Sequence, residues 1–209
     1  MFADRVDAGR QLAQELAGTV PVPAVVLGIA RGGVIVGAEI ARELRVPLDV
    51  VICRKLGAPG NPELGIGAVA PGVRVIDEPI VRTLGVDDAY LERETSRQVA
   101  EIARRLDAYR AGMEPPQLAG VSAVVVDDGV ATGVTAVAAL RWARAQGAAT
   151  VIFAAPVGPV GIERRLAGEC DRCVVSVTPA QLRAVGQWYE RFDQTTDDEV
   201  RAALVQAGR

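Results

Sequence analysis

The sequence predicts an α/β fold, a mostly parallel central sheet flanked by helices, with a small C-terminal hood and a long helical insertion. Three observations carry that expectation. Short apolar, β-branched runs recur at residues 24–27, 48–53, 121–126, 150–155 and 173–177. Amphipathic stretches at 34–44, 135–146 and 159–166 separate several of them, which is the alternation of right-handed crossovers around a parallel sheet. The 209 residues suffice for a full core without disulfide staples, so one domain over 1–209 is expected, with a core over about 20–177.

Taken in order, the N-terminal segment carries Asp4, Arg5, Asp7 and Arg10, which is incompatible with a secretory signal peptide. No apolar run approaches membrane-spanning length, and a cytoplasmic location with no membrane partner is expected. After the first strand, Gly28-Ile29-Ala30-Arg31-Gly32-Gly33 loosely matches a dinucleotide-binding turn with Ala at its second glycine. The ribose carboxylate of such a site should end the next strand, but Asp49 precedes Val50, Val51 and Ile52, so that reading is weak.

Residues 55–65, rich in Gly and Pro, read as a mobile loop, a lid or a linker. Residues 87–111 read as a long helix capped by Asp87 or Asp88, with Leu91, Ile102, Leu106 and Tyr109 on one stripe. Its Glu and Arg residues suit a solvated, self-paired face, and the insertion as a whole covers about 87–112. Beyond residue 178, in the hood segment 178–209, Trp188, Tyr189 and Phe192 gather three of the eight aromatics in the chain.

Chain chemistry excludes much. There is no histidine, which removes Ser-His-Asp triads, Cys-His dyads, histidine bases and His-ligated zinc. Cys170 and Cys173 have zinc-type spacing, but only Cys53 remains as a further thiol, so ordinary small residues are the expected reading. A net charge of −3 without a basic helix gives no pull toward nucleic acid.

The most informative run is 124–135, Val-Val-Val-Asp-Asp-Gly-Val-Ala-Thr-Gly-Val-Thr. A buried strand ends in two adjacent carboxylates, followed by a small Gly/Thr turn and the apolar-periodic segment 137–142. Ligands bind at the carboxyl ends of parallel strands, where a helix N-terminus offers free N–H groups to an anion. Thr132, Gly133 and Thr135 suit a phosphate, and Asp127 and Asp128 a sugar diol or a metal beside it. The turn is not a P-loop, because Val134 follows Gly133 where a lysine is required.

This run resembles the phosphoribosyl pyrophosphate (PRPP) signature of the type I phosphoribosyltransferases, and the whole pattern looks most like bacterial phosphoribosyltransferases of unassigned acceptor. The resemblance covers residues 25 to about 192. It implies that Asp127 and Asp128 hold the ribose hydroxyls and contribute to a Mg2+ site, and that Gly129 and Ala131, Thr132, Gly133, Val134 and Thr135 cradle the 5′-phosphate, with Val134 pointing away. It further implies a pyrophosphate loop at Ala30, Arg31, Gly32 and Gly33, with a cis peptide between Ala30 and Arg31. Arg54 or Lys55 would add a phosphate contact, and Trp188, Tyr189 and Phe192 resemble a hood that sandwiches the acceptor, with Trp188 or Tyr189 favoured over Phe192. Packing of these rings on the core is the equal alternative.

One departure is Ala131, where the 6-oxopurine branch usually has an aspartate near the base. The expected activity is Mg-dependent transfer of ribose 5-phosphate from PRPP to a nitrogenous acceptor, with Asp127, Asp128 and Arg31 as the catalytic set and a homodimer as the assembly. Two alternatives stand beside it: a PRPP-binding regulator without transfer, and an unrelated α/β protein that binds nucleotides or sugar phosphates.

Overall fold

The structure, a computed structural model, describes residues 1–110, 112 and 114–207. Its elements run α1 (Arg5–Leu16), β1 (Ala24–Ile29), α2 (Gly32–Leu44), β2 (Leu48–Val51), β3 (Arg54–Ala58), β4 (Asn61–Ala70), β5 (Val73–Ile76), α3 (Glu78–Leu84) and α4 (Asp88–Arg110). They continue with β6 (Ser122–Val126), α5 (Val134–Ala145), β7 (Thr150–Val157), α6 (Ile162–Arg165), β8 (Arg172–Val177), a 3-10 turn at Val185–Trp188 and α7 (Asp197–Ala207).

The five predicted strands are the central sheet, in order β2-β1-β6-β7-β8 and parallel throughout. Every residue of β1, β2 and β6 is buried, because helices cover both faces. Alternate positions sort cleanly. Val26, Val124 and Ile152 pack with α1 and α2 through Leu12, Leu16, Val34 and Ile40, whereas Leu27, Val125 and Phe153 pack with α5 through Leu140 and Trp142.

Residues 55–65 are not an irregular loop. They form most of a β-hairpin in a second, antiparallel sheet ordered β3-β4-β5. Pro59 and Gly60 occupy the turn between paired Ala58 and Asn61, and Gly60 has φ 72°, the conformation a tight turn requires after proline. Gly57 sits at register shifts of the hairpin, where an added Cβ would lie 2.7 Å from Pro62 Cα. The residues that look like strand breakers are therefore the ones that shape the hairpin.

The long helix starts as expected, with the Tyr90 amide donating to Asp87 Oδ1 at 2.6 Å. Leu91, Ile102 and Tyr109 are buried, while Arg97 pairs with Glu94 and Arg104 and Arg105 with Glu101 along its own surface. Its expected end at Ala111 lies outside the described residues. The stretch 159–166 holds only the single turn of α6, though Ile162 and Leu166 are fully buried.

The hood joins both chain ends. Phe2 N donates to Trp188 O, Glu190 N to Phe2 O and Arg191 N to Ala3 O, at 2.8, 2.8 and 3.0 Å. Phe2, Tyr189 and Val157 form a separate small core that Trp188 and Phe192 flank. The α7 helix opens on a reciprocal cap. Glu199 N donates to Thr196 Oγ1 at 3.2 Å while Thr196 N donates to Glu199 Oε2 at 2.7 Å.

Candidate active site

From β1 the chain crosses through α2 to β2 on one side, and from β6 through α5 to β7 on the other. The strand order thus reverses between β1 and β6, the place where doubly wound sheets open a crevice. Because β1 and β6 are neighbours in register (Leu27 opposite Val125, Gly28 opposite Val126), the two loops that follow them face each other. Their closeness demands glycine. A Cβ on Gly33 would lie 2.4 Å from Val126 O and 3.0 Å from Asp127 Cα.

Between these loops lies a cavity of about 520 Å³. Ala30, Arg31 and Gly32 form one wall, and Asp127, Asp128, Gly129, Ala131, Thr132, Gly133 and Thr135 another, so residues predicted as separate PRPP and pyrophosphate loops share one space. Gly33 and Val134, both expected among the ligand-holding residues, do not line it; Val134 is the first residue of α5. Gly133, at φ 77°, is the N-terminal cap of α5 and no side chain caps that end, which leaves its first amides to an anion. The Ala30–Arg31 peptide is cis.

The two acids differ. Asp127 Oδ1 accepts from the Asp128 amide at 2.9 Å, and burial, reinforced by the charge of Asp128, raises the proton affinity of the Asp127 carboxyl well above the usual carboxylate range. Asp128 instead meets Arg5, whose Nε donates to Oδ2 at 2.7 Å. Among the described residues no group of three or more acids, histidines or cysteines could cage a metal. The donor set still fits a hard divalent ion. Such an ion would relieve the desolvated carboxylate pair and take its remaining ligands from water and substrate oxygens.

The basic residues separate. Arg31 lines the cavity and its Nη1 stands 3.6 Å from Asp197 Oδ1, which in turn accepts from Tyr109 Oη at 2.6 Å. Desolvation and that bond push the Tyr109 hydroxyl up to about 12. Lys55 also lines the cavity, but Arg54 turns away, donating from Nε to Gln98 Oε1 on α4 at 2.8 Å. Strand alternation explains the split, since adjacent residues of β3 point to opposite faces.

The aromatics separate too, and in the reverse of the expected order. Phe192 lines the cavity, carrying the Arg5 guanidinium 3.9 Å from its ring centroid and the Tyr189 ring 4.8 Å away on a 31° tilt. Tyr189 is buried beneath, its hydroxyl donating to Asp128 O at 2.5 Å, and burial raises its proton affinity. Trp188 packs beside the small hood core and does not line the cavity.

Sequence reasoning missed Arg5, Cys53, Val185, Gln194 and Thr195 on the cavity wall. A signal existed for Lys55 that composition makes plain: it is the only lysine among 23 basic residues, the rest being arginine. For Arg5 there was none, because the contact spans 123 positions of sequence.

A model of the phosphoribosyl transferase domain matches residues 3–178. The chain belongs to that family. Two Mycobacterium tuberculosis proteins, from two strains and named provisionally as phosphoribosyl transferases, are each 49% identical to it over 210 residues. Those alignments cover 100% of this chain and 47% of theirs, so the chain spans about half the length of the curated relatives it matches. The crystal structure of TT1426 from Thermus thermophilus is 41% identical, with a TM-score of 0.82 over 98% of each chain. In this phosphoribosyl transferase domain the matched segment contains both cavity loops and ends just after β8, before the aromatic hood segment. No helix among the described residues is long and apolar enough to cross a membrane.

Proposed function

We propose that this domain transfers ribose 5-phosphate from PRPP, with Mg2+, to a nitrogenous acceptor, in the first place a nucleobase. The observation that carries the reading is the meeting, in one cavity, of the Asp127–Asp128 pair, the uncapped start of α5 and the Ala30–Gly32 loop. In the reaction the acceptor nitrogen bonds to C1′ as the C1′–oxygen bond breaks, pyrophosphate leaves with that electron pair, and the acceptor's proton passes to solvent. Asp127 and Asp128 would accept from the ribose hydroxyls, and the amides and hydroxyls of residues 131–135 would hold the 5′-phosphate. Arg31 and Lys55 would neutralise the departing pyrophosphate from the opposite wall. Mg2+, held by the two acids together with substrate oxygens and water, would supply further charge neutralisation when bound.

Phe192, with Gln194 and Thr195 beside it, supports an acceptor place at the hood end of the cavity. A homodimer and a cytoplasmic setting complete the reading, the first checked by sedimentation. The deciding experiment measures pyrophosphate release from Mg-PRPP against a panel of purines, pyrimidines and amines, with an acceptor-free control for hydrolysis and mass identification of the product. Binding of PRPP with no acceptor-dependent release would instead identify a PRPP-binding regulator.

A further inference from the structure

We infer that Arg5 is a positioning residue for the sugar diol: it fixes the Asp128 carboxylate through Oδ2 so that the other oxygen is presented to the ribose hydroxyls. The inference rests on the sugar-phosphate reading of this cavity. Its observations are geometric. Arg5 Nε donates to Asp128 Oδ2 at 2.7 Å, Nη1 donates to Asp193 O at 2.7 Å, and the guanidinium lies over Phe192. Three contacts in different directions pin an otherwise flexible side chain, which is only 13% exposed. Its partner is pinned as well, because Tyr189 Oη holds the Asp128 carbonyl.

Room for the pair comes from Gly32. A Cβ there would stand 1.9 Å from Asp128 Oδ2 and 2.7 Å from Arg5 Nε, so the absence of a side chain in one cavity loop accommodates a carboxylate held from the other. The N-terminal helix thereby belongs to the ligand site, although Arg5 and Asp128 stand 123 positions apart in the sequence. The assignment predicts selectivity within one ligand: the pair matters to the sugar and not to the phosphate.

Calorimetry with ribose 5-phosphate and with inorganic phosphate tests it on the full chain. Arg5→Gln should weaken ribose 5-phosphate about tenfold, the scale of one charge-assisted hydrogen bond, while phosphate affinity holds. Arg5→Lys, which keeps the charge, should recover part of the loss. Unchanged ribose 5-phosphate affinity in Arg5→Gln overturns the inference, and so does tighter binding, which would make Arg5 an obstruction to the diol. A parallel fall for both ligands also overturns it, reducing Arg5 to a strut of the hood. Wild-type protein that binds the two ligands equally well would remove the diol assignment itself. A chain that shows the sugar-selective loss yet releases no pyrophosphate from PRPP would instead sink the transferase reading and leave this inference standing.

Discussion

The two loops at the sheet edge and the hood beside them build the same cavity by different means. The loops after β1 and β6 are fixed by backbone proximity. Gly28 and Gly33 have no room for a Cβ, with Val34 Cα at 2.5 Å and Val126 O at 2.4 Å. The hood is fixed by contacts between distant parts of the chain: main-chain bonds from residues 188–191 to Phe2 and Ala3, and side chains from Arg5 to Asp128, Tyr189 to the Asp128 carbonyl and Arg191 to Asp4. A site of this kind has a rigid, sequence-local half and an adjustable half whose parts lie at opposite ends of the chain. Substitution should therefore damage the first half through stability and the second through ligand choice.

The largest effect expected is from Gly33→Val, which forces backbone apart where no flexible side chain can yield. Overpacking of this kind costs roughly 1–3 kcal/mol or more. The melting temperature should fall by several degrees in circular dichroism, with PRPP binding lost. Retention of both would show that the loops are not held by proximity.

Next come the acids, which should respond in opposite senses. Each Asp→Asn change should weaken PRPP by about ten- to hundredfold in calorimetry, the scale of one or two charge-assisted hydrogen bonds. Asp127→Asn should nevertheless raise the melting temperature at neutral pH. Burial and the neighbouring Asp128 raise its native proton affinity, so its contribution to folding is full below the ordinary carboxylate range and is lost as pH rises through the native value. Asp128→Asn should lower stability slightly, because Arg5 loses its carboxylate partner.

Acceptor choice sharpens the comparison on the hood side. Phe192→Leu should raise the acceptor KM by up to about tenfold, on the lower part of the roughly 1–3 kcal/mol scale of base–aromatic stacking, and weaken PRPP less than Arg5→Gln does, since only one of the contacts holding Arg5 is lost. Trp188→Leu should leave that KM unchanged and move only thermal stability, as its place outside the cavity requires. The smallest effect belongs to the cap of α7: Thr196→Ala should cost about 0.5–2 kcal/mol in urea unfolding, without touching PRPP affinity.

What the sequence made legible follows the same division. Strand–turn–helix signals are local, so each central strand was readable from its own apolar run, and β6, the acids at its end and the turn into α5 from residues 121–146 alone. The hairpin was misread because Pro59, Gly60 and Pro62 count as breakers until pairing partners are known; Pro59 and Gly60 in fact form its turn. The α7 helix carries a local signal, the Thr196 to Glu199 capping box ahead of Val200, Ala203, Leu204 and Ala207 at helical spacing. Arg5 and the order of preference among Trp188, Tyr189 and Phe192 depend on how the two chain ends fold together, and no local pattern encodes that.

Lys55 carries a practical consequence of its own. As the single lysine side chain of the sequence and an exposed residue on the cavity wall, it offers acylating reagents and aldehydes one ε-amine, at the site itself. Protection of that amine by pyrophosphate would read cavity occupancy as a mass difference, with no assay of turnover. A lysine-specific protease likewise has one bond to cut, between Lys55 and Leu56 inside β3, so resistance to that cleavage reports whether the hairpin stays paired.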